Sequence, residues 1–384
     1  MSSPLRVLHV YKDYFPPVAG GMEKHIHTLA HRQVQQGFEV TVLATNPAPF
    51  PYSLRTGVEQ DGPVRVLRAG RLATVASTPL SPRQLLYQAT LTADVAHLHF
   101  PYPPGEIANL LWGRARVTVI TYHSDVVRQQ RILRLYRPLL RRVLARADAI
   151  IVSSPAYARS SSELQAVARD VHPIPLGIEL APFLHVDRAR AATIRERVWG
   201  READVPLALF VGRLRYYKGL DVLLHALVQV PELHLWVIGT GPMGKPWRQL
   251  ARRLGLDRRV VFLGNVPEAD LPLYYAAADL FVLPSTSRAE AFGLVLVEAM
   301  ASGLPVISTE LGTGTSFVNV HGETGWVVPP GAPGALAEAL NFLFSHPAER
   351  ARMGRSARER ARKEFDAGVM AERIAALYRQ LLGP

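Results

Sequence analysis

Cysteine is absent from the 384-residue chain, which excludes a disulfide framework, a thiolate metal site and a cysteine nucleophile. Such a chain suits a cytoplasmic setting. Aromatic residues make up only 8%, and no recognised nucleic-acid module or aromatic-interleaved basic patch occurs, so nucleic acid is not expected as a partner. Long hydrophobic runs are missing too. The N-terminal MSSPLRVLHVYKDYF holds only the short run VLHV, and no stretch of about 18 uncharged apolar residues follows. Neither a signal peptide nor a membrane span is expected, and the protein reads as soluble, or peripheral on the inner face of the plasma membrane.

What is present is a globular composition: 48% hydrophobic and 20% charged residues, with 28 Gly and 30 Pro. The length suits two domains. The net charge of +12 is uneven: residues 1–175 hold 20 Lys+Arg against 11 Asp+Glu, while the remaining 209 hold 24 against 21. The basic excess belongs to the first half and draws anionic partners without naming them.

Apolar runs alternate with helical patterns along the chain. LRVLHVY, FEVTVLAT, ADVAHLHF, ARVTVITYH and DAIIVSS read as strands of the first half, with MEKHIHTLAHRQVQQG and Val126–Ala147 as helices. PLALFVGRL, LHLWVIGTG, RVVFLGNV, DLFVLPS, LPVISTE and GWVVPP read as strands of the second, and helical patterns lie between them. Alternation of this kind means parallel β-α-β units and two doubly wound α/β domains. The stretch from His172 to about Val205 reads as the connection, and ERARMGRSARERARKEF as a solvated helix. Ligands of such sheets bind beyond the C-terminal strand ends, so two facing domains would form a cleft there.

Several loops at those ends carry candidate chemistry. In FPPVAGG, Gly20 and Gly21 would let backbone amides approach a phosphate at a helix N-terminus, or simply make a turn. This loop lacks G-x-G-x-x-G, and no acidic residue closes the next strand, FEVTVLAT, which disfavours a nicotinamide site. In TYHSD, His123 can donate to a substrate or be structural, and Asp125 can orient it. His97 and His99 share one strand face, but no third ligand shows suitable spacing, so no metal site is expected; His27 and His31, i and i+4 on a helix, read as surface or packing residues. In VGRLRYYKG, Arg213 and Lys218 leave one strand-end loop, either as solvated charges or as a grip on diphosphate.

The segment EAFGLVLVE sets Glu290 in a loop and Glu298 one to two turns into a helix starting near Gly293. Amides near Phe292, Gly293 and Leu294 can bind anionic oxygens. Glu298, inside an otherwise apolar helix, needs donors such as sugar or ribose hydroxyls, or an arginine partner.

Taken together, the GG loop, VGRLRYYKG, FLGNV and above all EAFGLVLVE followed by AMASGLPVIST resemble glycosyltransferase family 4, retaining enzymes of the GT-B fold. Matches run from about residue 5 to about 330. The resemblance implies an N-terminal acceptor-side domain, 1–173, and a nucleotide-sugar-binding domain, 174–366, with a final helix, 367–384, crossing back onto the first. It implies that Glu290 contacts the transferred sugar, Glu298 the ribose, Arg213 and Lys218 the diphosphate, and that Gly20, Gly21 and His123 lie nearby. No metal or other cofactor is implied, and no D-x-D motif occurs. With the two cations and the helix amides stabilising the leaving group, same-face attack by the acceptor with retained configuration is expected, the departing phosphate taking the acceptor's proton.

STELGTGTSFVNVHGETGWVVPP is similar to bacterial members that build O-antigen or related polysaccharides, several using GDP-mannose or GDP-rhamnose; a UDP-sugar is the alternative donor. The expected acceptor is a glycan or a lipid-linked one. The segment Val126–Ala147 has seven arginines and no acid, so it reads either as an amphipathic helix with a solvated face or as a surface for anionic lipid, and Pro138 can break it. The rival classes are a sugar-nucleotide epimerase and a nucleic-acid-binding protein.

Overall fold

The computed structural model describes residues 4–18, 20–126, 130–167, 170–199 and 205–383. The chain divides into two compact units, Met1–Gly177 with Ala367–Pro384, and Ile178–Asp366.

The first unit is built on eight strands: β1 (Arg6–Val10), β2 (Glu39–Thr45), β3 (Gly57–Asp61), β4 (Val64–Ala69), and then, after a separate small hairpin of β5 (Ala73–Val75) and β6 (Thr78–Leu80), β7 (Val95–Phe100), β8 (Val117–Tyr122), β9 (Ala149–Val152) and β10 (Val171–Pro173). Their order is β10-β9-β8-β7-β1-β2-β4-β3. All neighbours are parallel except β3 and β4. The central strands are mostly apolar and buried almost from end to end, as expected where helices cover both faces. Edge strand β3, GVEQD, is largely exposed and polar, which discourages pairing with another chain.

Helices α1 (Gly21–Gln35), α2 (Pro82–Thr90), α3 (Pro103–Trp112) and α4 (Gln130–Arg146) belong to this unit. The closing helix Ala367–Leu382 also belongs to it and inserts Met370, Ile374, Leu377 and Tyr378 into its core beside Ile26 and Leu29 of α1. The structure corrects three expectations. Helix α4 continues through Pro138 rather than breaking; residues 127–129 of the expected helix lie outside the described residues. The supposed connection after His172 contains β10 and two helices, Ala181–Leu184 and Arg188–Trp199. The arginine-rich helix Pro347–Glu364 is not solvated all round, since Met353, Gly354, Ala357 and Ala361 are buried.

The second unit has six parallel strands, β11 (Leu207–Val211), β12 (His234–Ile238), β13 (Val260–Gly264), β14 (Leu280–Leu283), β15 (Val306–Thr309) and β16 (Gly325–Val328), ordered β13-β12-β11-β14-β15-β16. Strand order reverses between β11 and β14. Such a switch point is where open α/β sheets receive ligands. Ala208 and Leu209 pair with Leu280 and Phe281, which sets the two loops side by side.

Candidate active site

The switch point of the second unit joins two loops distant in sequence. After β11 the chain passes Arg213, makes a short 3-10 turn over Tyr216–Lys218, and enters the helix Leu220–Val228 through Gly219 at φ 67°. A Cβ on Gly219 would collide with the carbonyl oxygen of Pro284, just past β14, so only glycine lets the loops approach this closely. The amide of Thr286 donates to the carbonyl of Tyr217 at 2.7 Å and ties them together.

At this junction Lys218 Nζ lies 2.6 Å from Glu290 Oε2, and both side chains are about nine-tenths buried. Burial alone would depress the lysine; the Glu290 carboxylate outweighs it and holds the ammonium above its ordinary range, so the pair is ionic. Ser285 Oγ donates to the same carboxylate oxygen at 3.0 Å. Thr313 Oγ1 donates to the Glu290 carbonyl at 2.8 Å, and the Gly314 amide to that of Ala291 at 2.7 Å. Glu290 is therefore held through both its side chain and its backbone. Ser285 and Thr313 went unread in the sequence, where a lone hydroxyl beside a strand end carries no signal.

Gly293, at φ 83°, begins the helix Leu294–Ala301, whose N-terminus has no side-chain cap. Phe292 is buried against Phe365 with ring centroids 5.8 Å apart, anchoring the turn, while Leu294 is half-buried. Glu298 accepts a hydrogen bond from the Tyr275 hydroxyl at 2.7 Å. Tyr275 comes from the helix Leu271–Ala277, and burial, with Glu298 beside it, pushes its phenol well above the usual value. The donor to Glu298 among the described contacts is thus a tyrosine. Arg213 is exposed, whereas Lys218 is buried, so the two cations of one loop differ in setting.

The other candidates belong to the first unit. Gly20 caps α1 in an extended conformation. Glu23, in the first turn and buried, folds its carboxylate over Gly20, where a Cβ would strike it. The anion nearest these glycines is therefore the protein's own, a feature that the GG spacing does not reveal.

His123 is 5% exposed, and its Nε2 shares a hydrogen bond with His99 Nδ1 at 3.1 Å. His99 Nε2 meets His9 Nδ1 at 3.0 Å, and His9 Nε2 meets Gln33 Oε1 at 2.7 Å. His97 bonds Tyr378 OH at 2.5 Å and Thr121 Oγ1 at 2.6 Å. His25 stands edge-on to His99 and His123. The expectation that His97 and His99 lack a third partner is thus corrected: parallel pairing of β1, β7 and β8 brings His9, His97, His99 and, just past β8, His123 together, and α1 adds His25, so that five histidines form one buried cluster. Burial keeps these rings neutral, lowering His9 to about 4 and His123 to about 3, and His25, His97 and His99 well below the ordinary value.

Against known proteins, the model described as "Glycosyltransferase Family 4" matches residues 19–181, and "Glycosyl transferases group 1" matches residues 193–360. The chain is 38% identical over 365 residues to D-rhamnosyltransferase WbpZ of Pseudomonas aeruginosa, covering 94% of this chain and 93% of the relative. It is 37% identical over 385 residues to O-antigen chain mannosyltransferase C of Escherichia coli, covering 98% and 99%. Among solved structures, sucrose-phosphate synthase from Thermosynechococcus elongatus matches with a TM-score of 0.81 and 26% identity, over 98% of this chain and 99% of that one. With two doubly wound units, matches to both models and identity sustained along almost the whole length, the chain belongs to glycosyltransferase family 4, has the GT-B fold and is a glycosyltransferase.

Proposed function

We propose that the protein transfers a hexose from GDP-mannose or GDP-rhamnose to a glycan or lipid-linked acceptor in the synthesis of a cell-surface polysaccharide such as O-antigen. The observation that carries the reading is the buried Lys218–Glu290 pair beside an uncapped helix N-terminus at the switch point of the second unit. An uncapped N-terminus offers amides and positive potential to a diphosphate, and Lys218 supplies a charge that needs no metal. Exposed Arg213 adds a fork able to close on phosphate. Glu290 faces the transferred sugar and Glu298, with Tyr275, the ribose.

In this reading the bond between the anomeric carbon and the diphosphate oxygen breaks as charge builds on the leaving group, which the cations and amides stabilise. Glu290, already engaged by Lys218 and Ser285, is a poor nucleophile. The acceptor hydroxyl attacks from the face the phosphate leaves, its proton passing to the departing phosphate oxygen, and configuration is retained. His123, on the acceptor side, donates to a sugar hydroxyl.

The names of the two relatives support mannose or rhamnose as the transferred sugar, and GDP as its carrier is part of this proposal. A thermal-shift screen of GDP, UDP, ADP and dTDP with their sugars tests this: stabilisation by GDP and GDP-mannose or GDP-rhamnose is expected, and a UDP-selective shift would replace the donor. Full turnover in excess EDTA checks the metal-free step, and the anomeric configuration of the product, read by NMR, checks retention.

A peripheral role at an anionic membrane rests on α4. Its Arg131, Arg134, Arg141, Arg142 and Arg146 are exposed, and Leu135 among them is 86% exposed. Each arginine near such a surface contributes about 1 kcal/mol. Flotation with vesicles containing phosphatidylglycerol is expected, and to weaken in Arg141→Glu/Arg142→Glu; flotation indifferent to anionic lipid ends the idea.

A further inference from the structure

The first unit carries a cluster that the transfer chemistry does not use. His27 and His31 project from one face of α1, and Asp61 ends edge strand β3. Asp61 Oδ2 lies 3.2 Å from His27 Nε2 and 3.1 Å from His31 Nε2. The Tyr14 hydroxyl donates to the same oxygen at 2.9 Å. Two imidazoles and one carboxylate so disposed form a two-histidine, one-carboxylate donor set.

The spacing suits an ion. Around a tetrahedral centre with bonds of about 2.0–2.1 Å, neighbouring ligand atoms stand about 3.3 Å apart, close to the two histidine–carboxylate separations here, and the two ring nitrogens lie within 4.8 Å of each other. An ion can therefore enter by replacing ring protons, with little movement of backbone. The three ligand side chains are 27% exposed, which leaves solvent able to supply a fourth ligand. Tyr14, fully buried, fixes the carboxylate from behind.

Two other trios, His9–His97–His99 and His25–His99–His123, also converge, but every member is buried. Both ring nitrogens of His9 and of His97 are already hydrogen-bonded. An ion there would break that network and lacks a carboxylate to offset its charge. In the surface trio the contacts an ion would replace are those among the ligands themselves, and Asp61 supplies the carboxylate.

We propose that His27, His31 and Asp61 bind a divalent first-row transition ion of zinc-like preference, which staples the β3–β4 edge hairpin to α1. The site acts on the stability of the first unit and is independent of the donor chemistry proposed above.

The test uses untagged full-length protein, stripped with chelator and titrated with Zn2+ by calorimetry and with Co2+ by visible absorption. Expected are one Zn2+ per chain, the visible band of tetrahedral Co2+, and a rise in unfolding temperature of roughly 5 °C at 100-fold excess over Kd. His31→Gln and Asp61→Asn, both at half-exposed positions, are each expected to lose the band and the shift while keeping the fold. Tyr14→Phe is expected to weaken binding about 10- to 100-fold. Failure of the intact protein to bind stoichiometrically overturns the proposal. So does undiminished binding in both substituted proteins, which assigns the ion elsewhere, such as the core histidines.

Discussion

At the scale of single residues, Lys218 and Glu290 were both legible as candidate site residues, because a lysine and a glutamate in strand-end loops stand out against apolar surroundings. Their contact was not legible, since it depends on β11 and β14 being neighbours, a fact of sheet order that no local pattern encodes. That contact makes a quantitative prediction. Removing one member of a buried ion pair strands the other charge, at a cost on the order of 3 kcal/mol. Lys218→Met and Glu290→Gln are each expected to destabilise the second unit, and the double substitution to cost clearly less than their sum. Additive losses in urea unfolding would show that the pair is not coupled. Glu290→Gln is also expected to reduce transfer about 10- to 100-fold, the worth of a hydrogen bond to a charged group, and full turnover in that variant would remove Glu290 from the site.

At the scale of elements, the central strands of both sheets were readable because a strand covered on both faces is largely apolar. The edge hairpin β3–β4 was missed for the opposite reason: GVEQD is polar and exposed, and its pairing is specified by its partner. Register hid the histidine cluster as well. His9 aligns with His97, and His99 with Thr121, two residues before His123. Five neutral rings give the first unit a defined response to acid. Unfolded histidines bind protons below about 6.5, whereas the buried rings resist until about 4 for His9 and about 3 for His123. The unfolded state gains protons first, so stability falls as pH drops from about 6.5. Glu106 opposes this trend. Burial pushes its carboxyl up to about 7 against hydrogen bonds from Tyr136 and the Tyr102 amide. The folded state keeps a proton that the unfolded state releases above 4.5, so this contribution declines as pH rises to about 7. Glu106→Gln, like the protonated acid, can accept from the Tyr102 amide and donate to the Tyr136 hydroxyl oxygen, without a charge. It is expected to be more stable than the parent above pH 7 by about 3 kcal/mol, with no such gain near pH 4.5. Parallel stability curves for the two proteins between pH 4.5 and 8 would show that Glu106 stays ionised in the fold.

At the scale of the whole molecule, the chain leaves its first unit at Gly177 and returns to it at Ala367. The second unit is a continuous segment, while the first depends on a helix made last. The amphipathic pattern AGVMAERIAALYRQLL announces a buried face but not which core it enters. In the fold, Met370, Ile374, Leu377 and Tyr378 fill the core of the first unit, and Tyr378 bonds His97 and accepts from Gln33. Each large buried apolar side chain contributes roughly 1.5–3 kcal/mol, so four approach the whole stability of an ordinary domain, about 5–15 kcal/mol. Truncation after Asp366 is therefore expected to unfold the first unit while leaving the second intact. Amide hydrogen exchange separates the two: β1, β7 and β8 should lose protection, and β11, β12 and β14 should keep it. Protection retained in β1 and β7 would mean that the sheet and its remaining helices suffice. Loss of protection in both units would mean that the second unit cannot fold without the first, even though its six strands and their covering helices come from one unbroken stretch of chain.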